Sequence, residues 1–425
     1  MRHKWIWASL LLVALVASGK VRHLSAAPPE GYIVVLKDDA LNAPAVAADH
    51  ARNFGVGLRH VYSHALKGYA AVIAPERLAD VQNDPRVLFV SADRPVWSFA
   101  QTLPTGIDRI EGESSSRFAS GVSGIAVAVI DTGSGPHPDL NIVGGKNCST
   151  GRSFNDGNGH GTHVAGTIGA LNEANGVVGV APGIPIYSVR VLNNAGSGSW
   201  ASVICGIDWV TANANANPNL PIKVANMSLG GSGSDDGNCG NSNNDAMHKA
   251  ICNSVAAGVT YVVAAGNSSS DFSSFAPAAY NEVLTVTAMA DFNGQAGGGA
   301  AATCRSDVDD TSADFSNFTT AGSSDEGHTI AAPGVCITST WKNGGYNTIS
   351  GTSMATPHVT GTAALCIAGP CAAMAPSLVI ERLRSDAAAR PAEYGFLGAP
   401  SNPITTGGSV PKTLFYGDLV YAGAY

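Results

Sequence analysis

The run Gly124-Ile125-Ala126-Val127-Ala128-Val129-Ile130 has no polar residue and stops abruptly at Asp131-Thr132-Gly133. An apolar, β-branched stretch without polar alternation fits a strand covered on both faces, as in the middle of a parallel sheet. Working outward, Gly159-His160-Gly161-Thr162-His163-Val164-Ala165-Gly166-Thr167 predicts the start of a small-residue helix. Strands are expected at 185–191, 222–227, 259–264 and 283–288, and helices at 200–210 and 244–257. Strands thus alternate with helices, and the polar residues that stand out sit just past a strand end or at a helix start. Ligands bind there in open α/β sheets.

The chain has 425 residues, enough for one large core and a small accessory domain. Charged residues make up only 13%, against 45% apolar and 50 glycines, which describes a globular, loop-rich protein. A net charge of −8 offers no electrostatic footprint for nucleic acid, so that class is set aside. Residues 1–27 read as a secretory signal peptide: a basic Met1-Arg2-His3-Lys4, an apolar run over 5–17, then small residues. Export is expected, with no stable membrane association. In an oxidising compartment the eight cysteines imply disulfides, and local proximity pairs Cys239–Cys252, Cys304–Cys336 and Cys366–Cys371, leaving Cys148–Cys205.

Residues 28–99 form a set of their own. Strand, helix, strand, strand, helix, strand are expected at 31–37, 45–54, 58–62, 68–74, 75–83 and 87–90, the split β-α-β order of a small ferredoxin-like α+β domain. Residues 100–425 form the α/β domain.

Near the C-terminal side, Gly351-Thr352-Ser353-Met354-Ala355-Thr356-Pro357-His358-Val359 leads small residues into one serine at a helix start. The N-terminal amides there suit developing negative charge, and Pro357 is expected in or near the first turn. A serine hydroxyl needs a base, a histidine has a suitable pKa, and a buried carboxylate must orient that histidine. Asp131, His163 and Ser353 are read as this constellation, in the chain order Asp, His, Ser. His160 is read as a loop or packing residue. Asn267 is placed as a side-chain donor to the oxyanion, beside the Ser353 N–H. His137 is taken as structural, and the acidic run Asp307, Asp309, Asp310, Asp314 as a solvated loop rather than a calcium site.

Four motifs, Asp131-Thr132-Gly133, His160-Gly161-Thr162-His163, Ala264-Ala265-Gly266-Asn267 and Gly351-Thr352-Ser353-Met354-Ala355, match in order and spacing. With them the chain resembles the subtilisin-family serine proteases. The resemblance implies a mostly parallel central sheet with helices on both faces, and a secreted serine endopeptidase that acts through an acyl-enzyme. It implies that the 28–99 domain is a propeptide, an intramolecular chaperone and inhibitor removed by self-cleavage between Phe99 and Ala100. The implied partners are this propeptide and polypeptide substrates, bound by a monomer. Gly196, Ser197 and Gly198 on one side, and Ser228, Leu229 and Gly230 on the other, resemble the edges that clamp an extended peptide. A structural Ca²⁺ is implied at Gln101, Asp139, Leu171, Glu173, Asn175 and Val177, although Glu173 departs from the family's usual smaller side chain. Phe99 before the cut suggests a preference for large apolar residues. The rivals are a catalytically silent relative acting as a binding protein, against which the intact triad weighs, a ligase on the same scaffold, separable by product analysis with an added amine, and a processing protease selective for basic sites, which would call for acidic pocket residues.

Overall fold

The computed structural model describes residues 31–40, 42–93, 101–407 and 411–425. The expected signal segment and the expected cut between Phe99 and Ala100 lie outside them. The chain divides into two compact units, Met1–Ser98 and Phe99–Tyr425.

In the first unit the order is β1 (Tyr32–Leu36), α1 (Ala43–Phe54), β2 (Gly57–Tyr62), β3 (Gly68–Val72), α2 (Pro75–Gln82) and β4 (Val87–Ala92). The sheet is antiparallel in the order β2-β3-β1-β4. Asn42 caps α1 by accepting from Ala45 N at 3.0 Å, and Gly55 ends it in the left-handed region. Val34 and Leu36, two residues apart on β1, are buried with Val46, Ala47, Tyr69, Ile73 and Val81. This is the α+β unit expected from the sequence.

The second unit continues with α3 (Thr105–Arg109), β5 (Ala126–Asp131), β6 (Ile142–Asn147), α4 (His160–Gly169), β7 (Ile186–Arg190), α5 (Trp200–Asn213), β8 (Ile222–Met227) and β9 (Gly231–Ser232). Then come α6 (Ala246–Ala256), β10 (Thr260–Ala264), β11 (Phe275–Ala276), β12 (Leu284–Ala290), β13 (Thr311–Ser312), β14 (Thr319–Thr320), β15 (Thr329–Pro333), β16 (Ile337–Trp341), β17 (Gly345–Ile349), α7 (Thr352–Ala368) and α8 (Pro376–Ala388). The main sheet runs β13-β12-β10-β8-β5-β7-β6, with β15 also on β12, and every pairing except β12 with β13 is parallel. β5 is buried at all six positions. Its Val127 and Val129 pack with Val164, Ile168 and Val359 from α4 and α7, while Ala126, Ala128 and Ile130 pack with Val203, Ile207 and Ile251 from α5 and α6. Helices therefore cover both faces, which is why the strand reads as unbroken apolar sequence.

Helix α7 is buried all round; from Thr352 to Ile367 only Ser353 is not fully enclosed. Pro357 sits at its sixth position, one turn later than expected from the sequence. The expected four disulfides all form: Cys148–Cys205, Cys239–Cys252, Cys304–Cys336 and Cys366–Cys371. The acidic run corrects the sequence reading. Asp307, Asp309 and Asp310 are buried, and Asp310 takes Arg109 Nε at 2.9 Å with the amides of Gly297 and Gly298. Only Asp314 is exposed, at 65%. Converging loop amides and one buried arginine replace water around these carboxylates. Among the described residues no helix is long and apolar enough to cross a membrane.

Candidate active site

β5 delivers Asp131 at its C-terminal end, fully buried, with its Oδ1 accepting from Thr132 N at 2.6 Å. The partner brought to this carboxylate is His160, not His163. His160 Nδ1 lies 2.9 Å from Asp131 Oδ1 and 3.0 Å from Oδ2, with the side chain 25% exposed. A carboxylate only accepts, so Nδ1 carries the proton and Nε2 is left to the cleft that His160 lines. Burial works to lower the His160 pKa, but the charge and hydrogen bond of Asp131 and the charge of Asp156 outweigh it, so the net direction is upward.

The placement of the base on His163 is thereby corrected. His160 is the first residue of α4 and stands at the strand end. His163 is three residues on, about 4.5 Å further along the axis and rotated by about 300°. It is fully buried, with Nε2 donating to Ile337 O at 2.9 Å and Nδ1 without a partner. Burial drives its pKa down to about 3, so it stays neutral and serves packing.

Two features fix His160 against Asp131. A Cβ on Gly161 would collide with the Gly133 carbonyl and stand 3.0 Å from Asp131 Oδ1, so only glycine lets the helix come this close. Asp156 supplies the missing cap of α4. Its Oδ1 accepts from the amides of Asn158 and Gly159, both at 2.8 Å, and its Oδ2 from Thr162 N at 2.9 Å. It also accepts from Thr132 Oγ1 at 2.9 Å, and that hydroxyl accepts from Gly161 N at 2.9 Å. The carboxylate thus joins the strand end to the helix start. The sequence reading missed Asp156; its one signal is an acid three residues before a glycine that cannot cap with a side chain.

Ser353 is the second residue of α7, among the amides that lack an intrahelical acceptor. Its hydroxyl donates to Ser228 O at 3.2 Å, and Ser228 Oγ donates back to Ser353 O at 2.8 Å. The second bond exists because Pro357, four residues on, has no N–H for that carbonyl. Asn267, past the end of β10, accepts at Oδ1 from Thr352 N at 2.8 Å and Thr352 Oγ1 at 2.9 Å. With its oxygen so held, the amide NH2 is oriented by elimination and remains a donor.

The cleft beside His160 has a volume of about 790 Å³. Gly196, Ser197 and Gly198 line one side and Ser228, Leu229 and Gly230 the other, so the six segment residues singled out in the sequence share one cavity. Its apolar lining adds Leu192, Trp200 and Val203.

At the other end of α4, Gln101 Nε2 donates to Leu171 O at 2.8 Å and lies 3.5 Å from Val177 O. Asp139 Oδ2 accepts from Val177 N at 3.1 Å and Tyr346 at 3.2 Å, while Oδ1 is buried without a partner. Burial pushes the Asp139 pKa up to about 6. Four of the six expected ligand residues are therefore together, whereas Glu173 and Asn175 are exposed. An orphaned carboxylate oxygen beside two carbonyls and an amide fits an oxygen-seeking cation. His137 is structural, joined to Gly345 O and Asp139 N.

Against known proteins, the profile described as Subtilase family matches residues 122–393, and that described as Peptidase inhibitor I9 matches residues 31–97. The alkaline protease of Alkalihalobacillus alcalophilus is 38% identical over 294 residues, 69% of this chain and 67% of its own length. Subtilisin E of Bacillus subtilis (strain 168) is 33% identical over 381 residues, 86% of this chain and 90% of that protein. The crystal structure of a cold adapted subtilisin-like serine proteinase matches with a TM-score of 0.52 at 31% identity, over 75% of this chain and 97% of that one.

Proposed function

Since this chain belongs to the subtilase family and is a subtilisin-like serine endopeptidase with an inhibitor-type propeptide, we propose that Ser353, His160, Asp131 and Asn267 carry its chemistry. His160 Nε2 removes the proton from Ser353 Oγ as the oxygen attacks the scissile carbonyl. Asp131 holds the Nδ1–H tautomer and stabilises the imidazolium without taking the proton. Asn267 Nδ2 and the Ser353 N–H, at the positive end of α7, receive the tetrahedral oxyanion. His160 then protonates the leaving amine, and water resolves the acyl-enzyme by the same steps. The observation that carries this reading is the Asp131–His160 pair at the wall of a cleft shared with Ser228, the hydrogen-bond partner of Ser353.

The substrate lies extended between residues 196–198 and 228–230, adding a strand whose main-chain bonds make few demands on sequence. Leu192, Trp200, Val203 and Leu229 favour a large apolar side chain in the cleft. Asp139, Gln101 and the carbonyls of Leu171 and Val177 would hold calcium, whose charge would compensate the buried carboxylate and tie down the loop after α4. Residues 1–27 direct export, 28–99 form the propeptide, 100–425 form the peptidase, and the enzyme makes the Phe99–Ala100 cut itself.

The test compares wild type with Ser353→Ala and His160→Ala by intact mass. Loss of the first 99 residues in wild type alone is expected. Equal trimming of all three chains would remove self-cleavage from the proposal. A library of peptides cleaved mainly after basic residues would remove the apolar preference.

A further inference from the structure

The loop 233–245, between β9 and α6, has no part in the chemistry above, yet it carries Asp235 and Asp236 to a buried histidine of α6. His248 is fully buried. Its ring is stacked on Tyr280 with centroids 4.1 Å apart, and its Nε2 lies 2.8 Å from Glu282 Oε2. A carboxylate accepts only, so Nε2 carries a proton, and Nδ1, which also faces carboxylates, is left to a second proton or to a metal ion. Nδ1 has no hydrogen-bond partner. It points at two anions, 3.6 Å from Asp235 Oδ1 and 3.4 Å from Asp236 Oδ1. A buried ring nitrogen and two half-buried carboxylate oxygens this close repel unless something positive lies between them.

We propose that Asp235, Asp236 and His248 form a site for a divalent transition-metal ion of the zinc class. The three donor atoms lie within 4.8 Å of one another. Ligands about 2.1 Å from a tetrahedral ion stand about 3.4 Å apart, close to the two distances from Nδ1. One imidazole with two carboxylates suits zinc, whereas calcium takes oxygen ligands alone. Two anionic ligands also balance a 2+ charge. The Glu282–Nε2 bond is the outer carboxylate that metal-bound histidines commonly have, fixing both tautomer and ring. The remaining contacts preorganise the acids: Asp235 Oδ1 accepts from Gly237 N at 2.9 Å, and Asp236 Oδ1 from the amides of Asn238 at 3.0 Å and Gly240 at 2.9 Å. The Cys239–Cys252 disulfide fastens the same loop to α6, so no thiolate competes for the ion. The ion would brace the cleft, because Asp235 follows β9, whose Gly231 and Ser232 line it.

The test uses the full chain as Ser353→Ala, which removes self-digestion. The protein is stripped with a chelator, dialysed against micromolar Zn²⁺ with excess Ca²⁺, and its metal counted by elemental mass spectrometry. One zinc per chain is expected, falling at least tenfold in His248→Asn. Asp235→Asn, whose one amide oxygen still accepts from Gly237 N, is the second variant in case the first fails to fold. Co²⁺ in place of Zn²⁺ should give visible absorption bands that are lost in Asp235→Asn. Zinc held equally by parent and variants would overturn the proposal. So would a parent that retains none, which would leave a proton as the only occupant.

Discussion

Two histidines in the second unit are held by carboxylates, one buried and one half-buried, and they differ in which nitrogen is held. At the end of β5, Asp131 takes Nδ1 of His160, and the ring remains 25% exposed on the cleft. At α6, Glu282 takes Nε2 of His248, and the other nitrogen of this fully buried ring points to two further, half-buried carboxylates. A held tautomer with its lone pair toward solvent and substrate makes a proton shuttle. The same device aimed at two half-buried anions makes the cation receptor proposed above. What separates them is the direction in which the unheld nitrogen looks, a property of the surrounding elements rather than of the residue pair.

The sharpest way to break this contrast is to move the base. His160→Ala should lower kcat about 10⁶-fold on a peptide substrate, a size carried over from a subtilisin rather than derived from this chain. His163→Asn should leave kcat within a few-fold and lower unfolding free energy by about 1–3 kcal/mol in urea titration. Equal losses in the two variants would abolish the assignment. Next in size, Asn267→Ala should reduce kcat about 10²–10³-fold with KM little changed, again a figure from a subtilisin. Removing calcium comes third. At free calcium about 100-fold above Kd the ion contributes about 2.7 kcal/mol, so for a domain of this size chelation should lower Tm by about 4 °C in a scanning melt. Asp139→Asn should erase that difference. The smallest effect sharpens the pH behaviour of the shuttle. His160 must be neutral to act, and its raised pKa moves the acid limb of kcat/KM above the ordinary histidine value of about 6.5. Asp156→Asn deletes one of the charges that raises it, so the limb should shift to lower pH. A shift to higher pH would contradict the electrostatics given for His160.

Most of the fold was readable because it rests on local patterns. The unbroken apolar run of β5, the strand and helix alternation after it, and the split order in residues 31–92 all reflect period and burial. Asp131, Ser353 and Asn267 stood out because each closes an apolar strand or opens a small-residue helix. The histidine assignment failed for a reason visible in hindsight. The sequence of α4 does not say which of its turns meets the end of β5, yet the glycines on both sides of His160 mark where backbone must pass close. Asp156 and the acids at 307–310 were opaque for another reason. Their partners are loop amides, which have no signature in residue type.

Pro357 ties these regions together. By withholding an amide from the Ser353 carbonyl, it hands that oxygen to Ser228, whose own carbonyl holds the Ser353 hydroxyl. The nucleophile is thus latched, through two reciprocal bonds, to the rail along which a bound peptide would lie. A peptide on that rail would touch the same residue that holds the Ser353 hydroxyl, so loading and firing would meet at a single joint.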